Sequence, residues 1–377
     1  MDYGYDNVVL NRGTLIQVHL ADLHFGAFEP RKQYEILKKQ VLDKIYSLPI
    51  LDVIVIDGDI FDRKVMSNSD AAMYATLFVN DLVDIARQKH STLVLLHGTY
   101  SHDYEQLKLF YHYMNDTTVD VRIVTTIKFE YINGAKVLCI PELYGVDESV
   151  YRSFFFESGW YDEAFVHGTF KGAVYGDNVG AGRLLTPEDF IYCKGVAIAG
   201  HVHKSGCFSG FFYYCGCPYR WKFGEEEEKG FIILAHDLDT QIHYVHFEPI
   251  ISYKYETIYL DTLVSEDPKE IIDYINRLKC EQGIDYIKVR FRVPIPGYNK
   301  TIINNYYRNN SHSFVEFMDL KEIEEMKQNE QIQSTEYSYL IDNSISDFER
   351  FVRYVNESEG TEFITVQQLT ELLSEKI

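Results

Sequence analysis

Cationic side chains are in short supply: 36 Lys and Arg stand against 57 Asp and Glu, a formal net charge of −21 over 377 residues. Non-specific affinity for nucleic acid comes largely from Lys and Arg neutralising phosphates, so the chain is no polybasic coat protein. No run of 18 or more apolar residues exists, and residues 1–7 are acidic and polar rather than basic then greasy. Neither a membrane span nor a secretory signal is expected. Cysteine is sparse too, with Cys139, Cys193, Cys207, Cys215, Cys217 and Cys280 and no C-x-x-C pair. That excludes a disulfide scaffold and points to a reducing cytoplasm. Cys215 and Cys217, the one close pair, read as thiols beside a strand end rather than a zinc or redox centre. Trp numbers only 2, whereas Tyr reaches 30 and Phe 24, an excess read first as filling for half-buried strands.

What is present is a 46% hydrophobic chain long enough for two or three domains. Residues 14–20, 53–56, 93–96, 165–166 and 196–199 are nearly continuous apolar runs, the pattern of strands buried on both faces. Segments 34–48 and 71–87 have helical length and spacing between them. The alternation predicts an α/β fold with helices packed on sheet faces. Further strands are expected at 211–214 and 231–235. Near residue 250 the texture changes. Asp267, Pro268 and Glu270 form a helix start and Gly283 a stop. Residues 287–293 then alternate, with Lys288, Arg290 and Arg292 on one face. This small α+β module presents either a solvated face or a phosphate-contacting rib. The polar, Gln-rich stretch 326–339 reads as a linker, and 340–377 as two short amphipathic helices that need a partner surface.

Five apolar strands end in metal-type side chains. Asp22 and His24 follow the first, Gly58 and Asp59 the second, and Gly98 to Asp103 the third; His167 and Gly168 follow the fourth, and Gly200, His201 and His203 the fifth. In open α/β sheets the site lies outside the carboxyl ends of the strands, so these groups can converge on one rim. Two carboxylates and four imidazoles suffice to hold two divalent ions. Mixed N/O donors favour manganese, iron or zinc over magnesium.

The order D-x-H, G-D-x-x-D, a G-x-H-D-like loop, V-H-G and G-H-V-H, spread over residues 20–203, resembles the calcineurin-like metallophosphoesterases. Residues 58–62, 214–219, 223–225 and 229–230 are similar to the SbcD/Mre-type DNA double-strand-break nuclease branch. The short form and divergent third motif resemble a phage-type member, which would place it in a host cytoplasm. The resemblance implies a β-sheet sandwich flanked by helices over 1–250 and a capping, DNA-binding domain over 251–325. Beyond the linker, 340–377 would dock an SbcC/Rad-type coiled-coil ATPase, and a homodimer would be the working unit.

The same resemblance makes Asp22, His24, Asp59 and His203 ligands of one ion, and Asp59, His167 and His201 ligands of the second. Manganese would be the usual metal. The family has Gly-Asn-His-Asp where this chain has Gly98-Thr99-Tyr100-Ser101-His102-Asp103. Alignment on His102 and Asp103 puts Ser101 at the Asn position; Thr99 or a backbone carbonyl is the alternative. His102 would be the catalytic histidine with Asp103 orienting its ring, and Asp103 also fits a helix N-cap. Asp62 either positions the Asp59 loop or caps a helix, and His97 reads as structural. The implied activity is exonuclease at DNA ends and endonuclease on single strands, in recombination, repair or replication. DNA would enter between the body and the cap, where Lys288, Arg290 and Arg292 contact phosphates. Hydrolysis of a non-DNA phosphate ester, or a DNA-end scaffold with a crippled second metal site, are the alternatives.

Overall fold

The computed structural model describes residues 13–173, 183–220, 222–225, 227–308, 312–318 and 322. The chain divides into two compact units, Met1–Tyr255 and Glu256–Ile377, close to the change of texture near residue 250. The predicted linker at 326–339 and helices at 340–377 lie outside the described residues. Among the described residues no helix is long and apolar enough to cross a membrane.

The first unit is an α/β sandwich of two six-stranded mixed sheets flanked by helices. One sheet contains β1 (Thr14–Leu20), β2 (Val53–Ile56), β3 (Thr92–Leu96) and β4 (Asp120–Val124), all parallel. The other contains β5 (Lys128–Ile132), β6 (Ala135–Ile140), β7 (Tyr161–His167), β8 (Cys193–Gly200), β9 (Gly206–Phe208) and β10 (Phe212–Tyr214), with β6, β7 and β8 parallel. Antiparallel β11 (Lys229–Asp237) and β12 (His243–Ile250) extend the first sheet beyond β1.

Strand side chains alternate faces, and here both faces are covered. Val18, Leu20, Ile54 and Ile56 pack with Phe78, Val79 and Leu82 of the helix Asp70–Lys89. Leu15, Val53, Val55, Val94 and Leu96 face the second sheet and meet Val137, Cys139 and Phe165. Two covered faces are why these strands read as unbroken apolar runs. The outer face of the second sheet carries much of the aromatic content, with Tyr161, Phe155, Phe170 and Phe190 in one cluster. Strands β4, β5 and β6 escape the sequence reading. Arg122 on β4 pairs with Asp120 and Glu130, so charge interrupts the apolar signal at this edge.

Helix boundaries follow local chemistry. Ser69 Oγ accepts from Ala72 N at 3.3 Å to start Asp70–Lys89, and His90 ends it in the left-handed region. The predicted helix at 34–48 begins earlier, because Pro30 serves as its first residue. It runs as Pro30–Ile36, a wider turn at Leu37–Leu42, and Asp43–Ser47.

The second unit packs helices Pro268–Glu281 and Gly297–Arg308 with a sheet of β13 (Tyr255–Leu260), β14 (Tyr286–Phe291) and β15 (Ser313–Phe317). The Asp267 carboxylate accepts from Lys269 N at 2.9 Å, and Gly283 has φ +60° past the helix end. Ile271, Ile275, Ile287, Val289, Phe291 and Ile303 form its core.

One inter-sheet patch is polar. Gln17 Nε2 and His236 Nδ1 both donate to Glu163 Oε1 at 2.5 Å, while His19 Nδ1 donates to Asp57 Oδ2 at 2.9 Å, all within the buried interior. Removing a shared buried acceptor strands its donors. Glu163→Ala should lower unfolding stability by about 3 kcal/mol or more, read as a drop in the urea midpoint at unchanged slope.

Candidate metal centre

Parallel strands bring their carboxyl ends to one edge, and backbone pairing continues past them. Asp57 N donates to Leu20 O at 2.7 Å, Asp22 N to Gly58 O at 3.1 Å and His24 N to Asp59 O at 3.0 Å. The backbone at Asp22, His24, Asp59 and His201 is left-handed, with φ of 54°, 44°, 55° and 93°. That conformation is unfavourable for non-glycine residues and gathers at functional sites. Gly58 is required by space as well as by its φ of +89°: a Cβ there would lie 2.2 Å from His167 Nδ1 and 2.7 Å from Gly98 Cα.

The side chains converge. Asp22, His24 and His203 place one donor atom each within 4.8 Å of one another; so do Asp22, Asp59 and His167, then His24, Asp59 and His102, and finally Glu142, His167 and His201. Asp59 Oδ2 lies 2.8 Å from His102 Nδ1, 3.4 Å from His167 Nε2 and 3.9 Å from His24 Nε2. His24 Nε2 faces His203 Nε2 at 3.0 Å, two ring nitrogens with one proton to share. These buried His and Asp groups could hold a metal ion.

The imidazoles are oriented from behind. His167 Nδ1 donates to Asp57 O at 2.7 Å, and His203 Nδ1 to Glu225 Oε1 at 3.2 Å. Each bond turns Nε2 toward the cluster, the arrangement that metal-ligating histidines require. Tyr214 Oη donates to Gly168 O at 2.7 Å and accepts from Phe170 N at 2.8 Å, fixing the loop after His167.

Charge is concentrated and unbalanced. Burial opposes ionisation of Asp59, but His167, His102 and His24 outweigh it and hold the carboxyl well below its ordinary range. Burial, reinforced by neighbouring histidines, lowers His24 and His201. It also pulls on His167, yet Asp59, Asp22 and Glu142 raise that ring to about 10. Burial raises Asp22 against the pull of His203 and His167. The buried carboxylates therefore depend on neighbouring positive charge, which a divalent cation would also supply, so the donor set fits the implied metal.

Asp22, His24, Asp59, His102, His167, His201 and His203 all belong to these groups. Ser101 does not: it is exposed. Thr99 comes inward in its place, its N donating to Asp59 Oδ1 at 2.6 Å and its Oγ1 to Glu142 Oε2 at 2.8 Å. Thr99 stands at the N-cap position of the turn Tyr100–Asp103, and residues two apart on a helical turn do not share a face, which carries Ser101 away. Asp103 also departs from expectation. Its carboxylate accepts from Gly98 N at 2.8 Å, Asp59 N at 3.1 Å and Phe61 N at 3.2 Å, so it ties two loops together while Asp59 holds the His102 ring. Burial and the nearby Asp59 raise Asp103 to about 6. Asp62 pairs at 3.6 Å with Arg63, and His97 Nε2 donates to Tyr104 O at 2.7 Å. Sequence reasoning misses Glu142; its only signal is an acid after Pro141 at the end of β6.

In the second unit the cationic rib has internal partners. Glu316 on β15 takes Lys288 at 2.7 Å and Arg290 at 2.6 Å, and Arg292 lies over the Tyr259 ring at 3.9 Å.

Glu225→Gln weakens the hold on the His203 ring and should reduce divalent-metal affinity about 10-fold, measured by calorimetric titration of manganese. No family model and no curated protein matches the sequence. One solved crystal structure superposes on 62% of this chain and 99% of its own, with 11% identity and a TM-score of 0.37, a likeness that assigns neither family nor activity.

Proposed function

We propose that the first unit is a metal-dependent phosphodiesterase acting on DNA, a nuclease with two divalent ions, manganese foremost. The observation that carries this reading is four overlapping donor groups, two of which contain Asp59, with the more accessible imidazole of His102 in one of them. The His102 side chain is 31% exposed, against 0% for His167 and 1% for His24, so His102 is suited to meet substrate and the other two to grip ions. Divalent ions in such a site supply charge neutralisation and Lewis acidity toward a phosphodiester. His102 supplies a proton or positive charge to the departing sugar oxygen, and Asp59 keeps its ring turned. Asp103 holds the backbones of residues 59, 61 and 98 at fixed spacing, so ring and donors keep their relative positions.

The strings similar to the SbcD/Mre-type branch, whose resemblance carries the choice of nucleic acid as substrate, lie around the donor cluster. Tyr214 braces the His167 loop, Tyr219 bonds Gln33, and Glu225 orients His203. Phosphates would compete with Glu316 for Lys288 and Arg290, since exposed ion pairs are weak. On this reading a coiled-coil ATPase docks on 340–377.

With manganese the protein should degrade DNA and cleave bis-p-nitrophenyl phosphate faster than p-nitrophenyl phosphate. His102→Ala should lower the DNA rate about 100-fold or more while manganese still binds. A variant as fast as the parent rules out this role, and preference for the monoester rules out the diester. Glu316→Gln should tighten duplex binding about 2- to 5-fold in fluorescence anisotropy without divalent metal, and steepen its salt dependence.

A further inference from the structure

The second donor group lacks the carboxamide that its resemblance implies. Thr99 Oγ1 stands where that group would reach, 3.2 Å from Asp59 Oδ2, 3.3 Å from His167 Nε2 and 3.5 Å from His201 Nδ1. A neutral hydroxyl offers a divalent ion little charge. Behind it lies Glu142, 6% exposed, with Oε2 at 3.4 Å from His201 Nδ1 and 3.9 Å from His167 Nε2.

We infer that Glu142 is a ligand of the second divalent ion, supplying a carboxylate where the family pattern has an amide, and that Tyr144 positions it. The inference rests on the two-ion reading proposed above. A buried carboxylate is costly unless opposite charge meets it. Among the described residues the ion-pair contacts of Glu142 are two imidazoles, and no Lys or Arg reaches it. Those same imidazoles are the expected ligands of the second ion, so one cation there would neutralise the carboxylate and accept a lone pair from each neutral ring. Tyr144 Oη donates to Glu142 Oε1 at 2.8 Å, which occupies one oxygen and leaves Oε2 toward the cluster. Thr99 then acts as a spacer, its hydroxyl bonded to Glu142 and its amide to Asp59. Asp22, Asp59 and Glu142 together bring three carboxylates to two divalent ions, and the added oxygen donor suits manganese better than a softer metal.

Manganese binding to the metal-stripped full chain tests this without reference to catalysis. The parent should bind two ions by calorimetry and give the exchange-coupled signal of a manganese pair by electron paramagnetic resonance. Glu142→Ala, which removes the donor altogether, should lose the coupled signal, with the weaker ion bound at least 10-fold less tightly and the tighter one unchanged. Tyr144→Phe, at a 40% exposed residue, should keep two ions and weaken the second about 10-fold. Two ions bound to Glu142→Ala with parental affinities, or fewer than two bound to the parent, overturns the assignment. If Glu142→Ala does not fold, parental affinity in Tyr144→Phe overturns the positioning role and a selective second-ion loss supports the ligand. Glu142-dependent binding in a protein that leaves DNA intact keeps this inference and removes the nuclease reading. Nuclease activity with Glu142-independent binding does the reverse.

Discussion

Everything at the rim of the sandwich is arranged around the Asp59 carboxylate. One oxygen faces three imidazoles, the other accepts the Thr99 amide, and the residue's own backbone bonds His24 and Asp103. These contacts come from loops following β1, β2, β3 and β7 in two different sheets. A buried anion in that position is tolerable only with cationic or metallic company, so the loops are obliged to bring histidines to it. The demand extends outward: His167 needs Asp57 O behind it, and His203 needs Glu225.

Much of this was legible in the sequence because the signals reinforce one another. A strand buried on both faces is an unbroken apolar run, and the first polar residue beyond it marks the rim. Asp22, Asp59, His167 and His201 stand out that way. Glu142 does not, although it also follows a strand. The hairpin that leads to it carries Lys128, Glu130 and Lys136 among its apolar residues, which breaks the apolar run, and a single acid after a proline resembles any loop. Ser101 failed for another reason. Linear alignment assumes a loop of one length, whereas the helical turn at Tyr100–Asp103 brings residues 99 and 102 to the cluster and sends 101 outward. The role of Asp103 has no sequence signature, because its partners are backbone amides and any residue supplies those.

The polar patch between the sheets belongs to a different layer of the design. Glu163, Gln17 and His236 lie on three strands, β7, β1 and β11, and meet at the shared Glu163 Oε1 only at one sheet-to-sheet alignment. Apolar contacts such as Val55 against Val137 tolerate small slides, whereas a shared carboxylate oxygen does not. Fixing that alignment fixes the separation between the loops after β2 and β7, and therefore between Asp59 and His167.

The left-handed backbone at Asp22, His24, Asp59 and His201 bears on how such a site can drift over evolutionary time. A replacement there must suit both the cluster and an unfavourable φ, a narrow gate that Gly and Asn pass most readily. Thr99, by contrast, has φ −61° and ψ 131°, values open to nearly any residue. The third loop therefore places no backbone restriction on residue 99, whereas Asp22 and Asp59 at the strand ends are held to a narrow set of replacements by their own conformation.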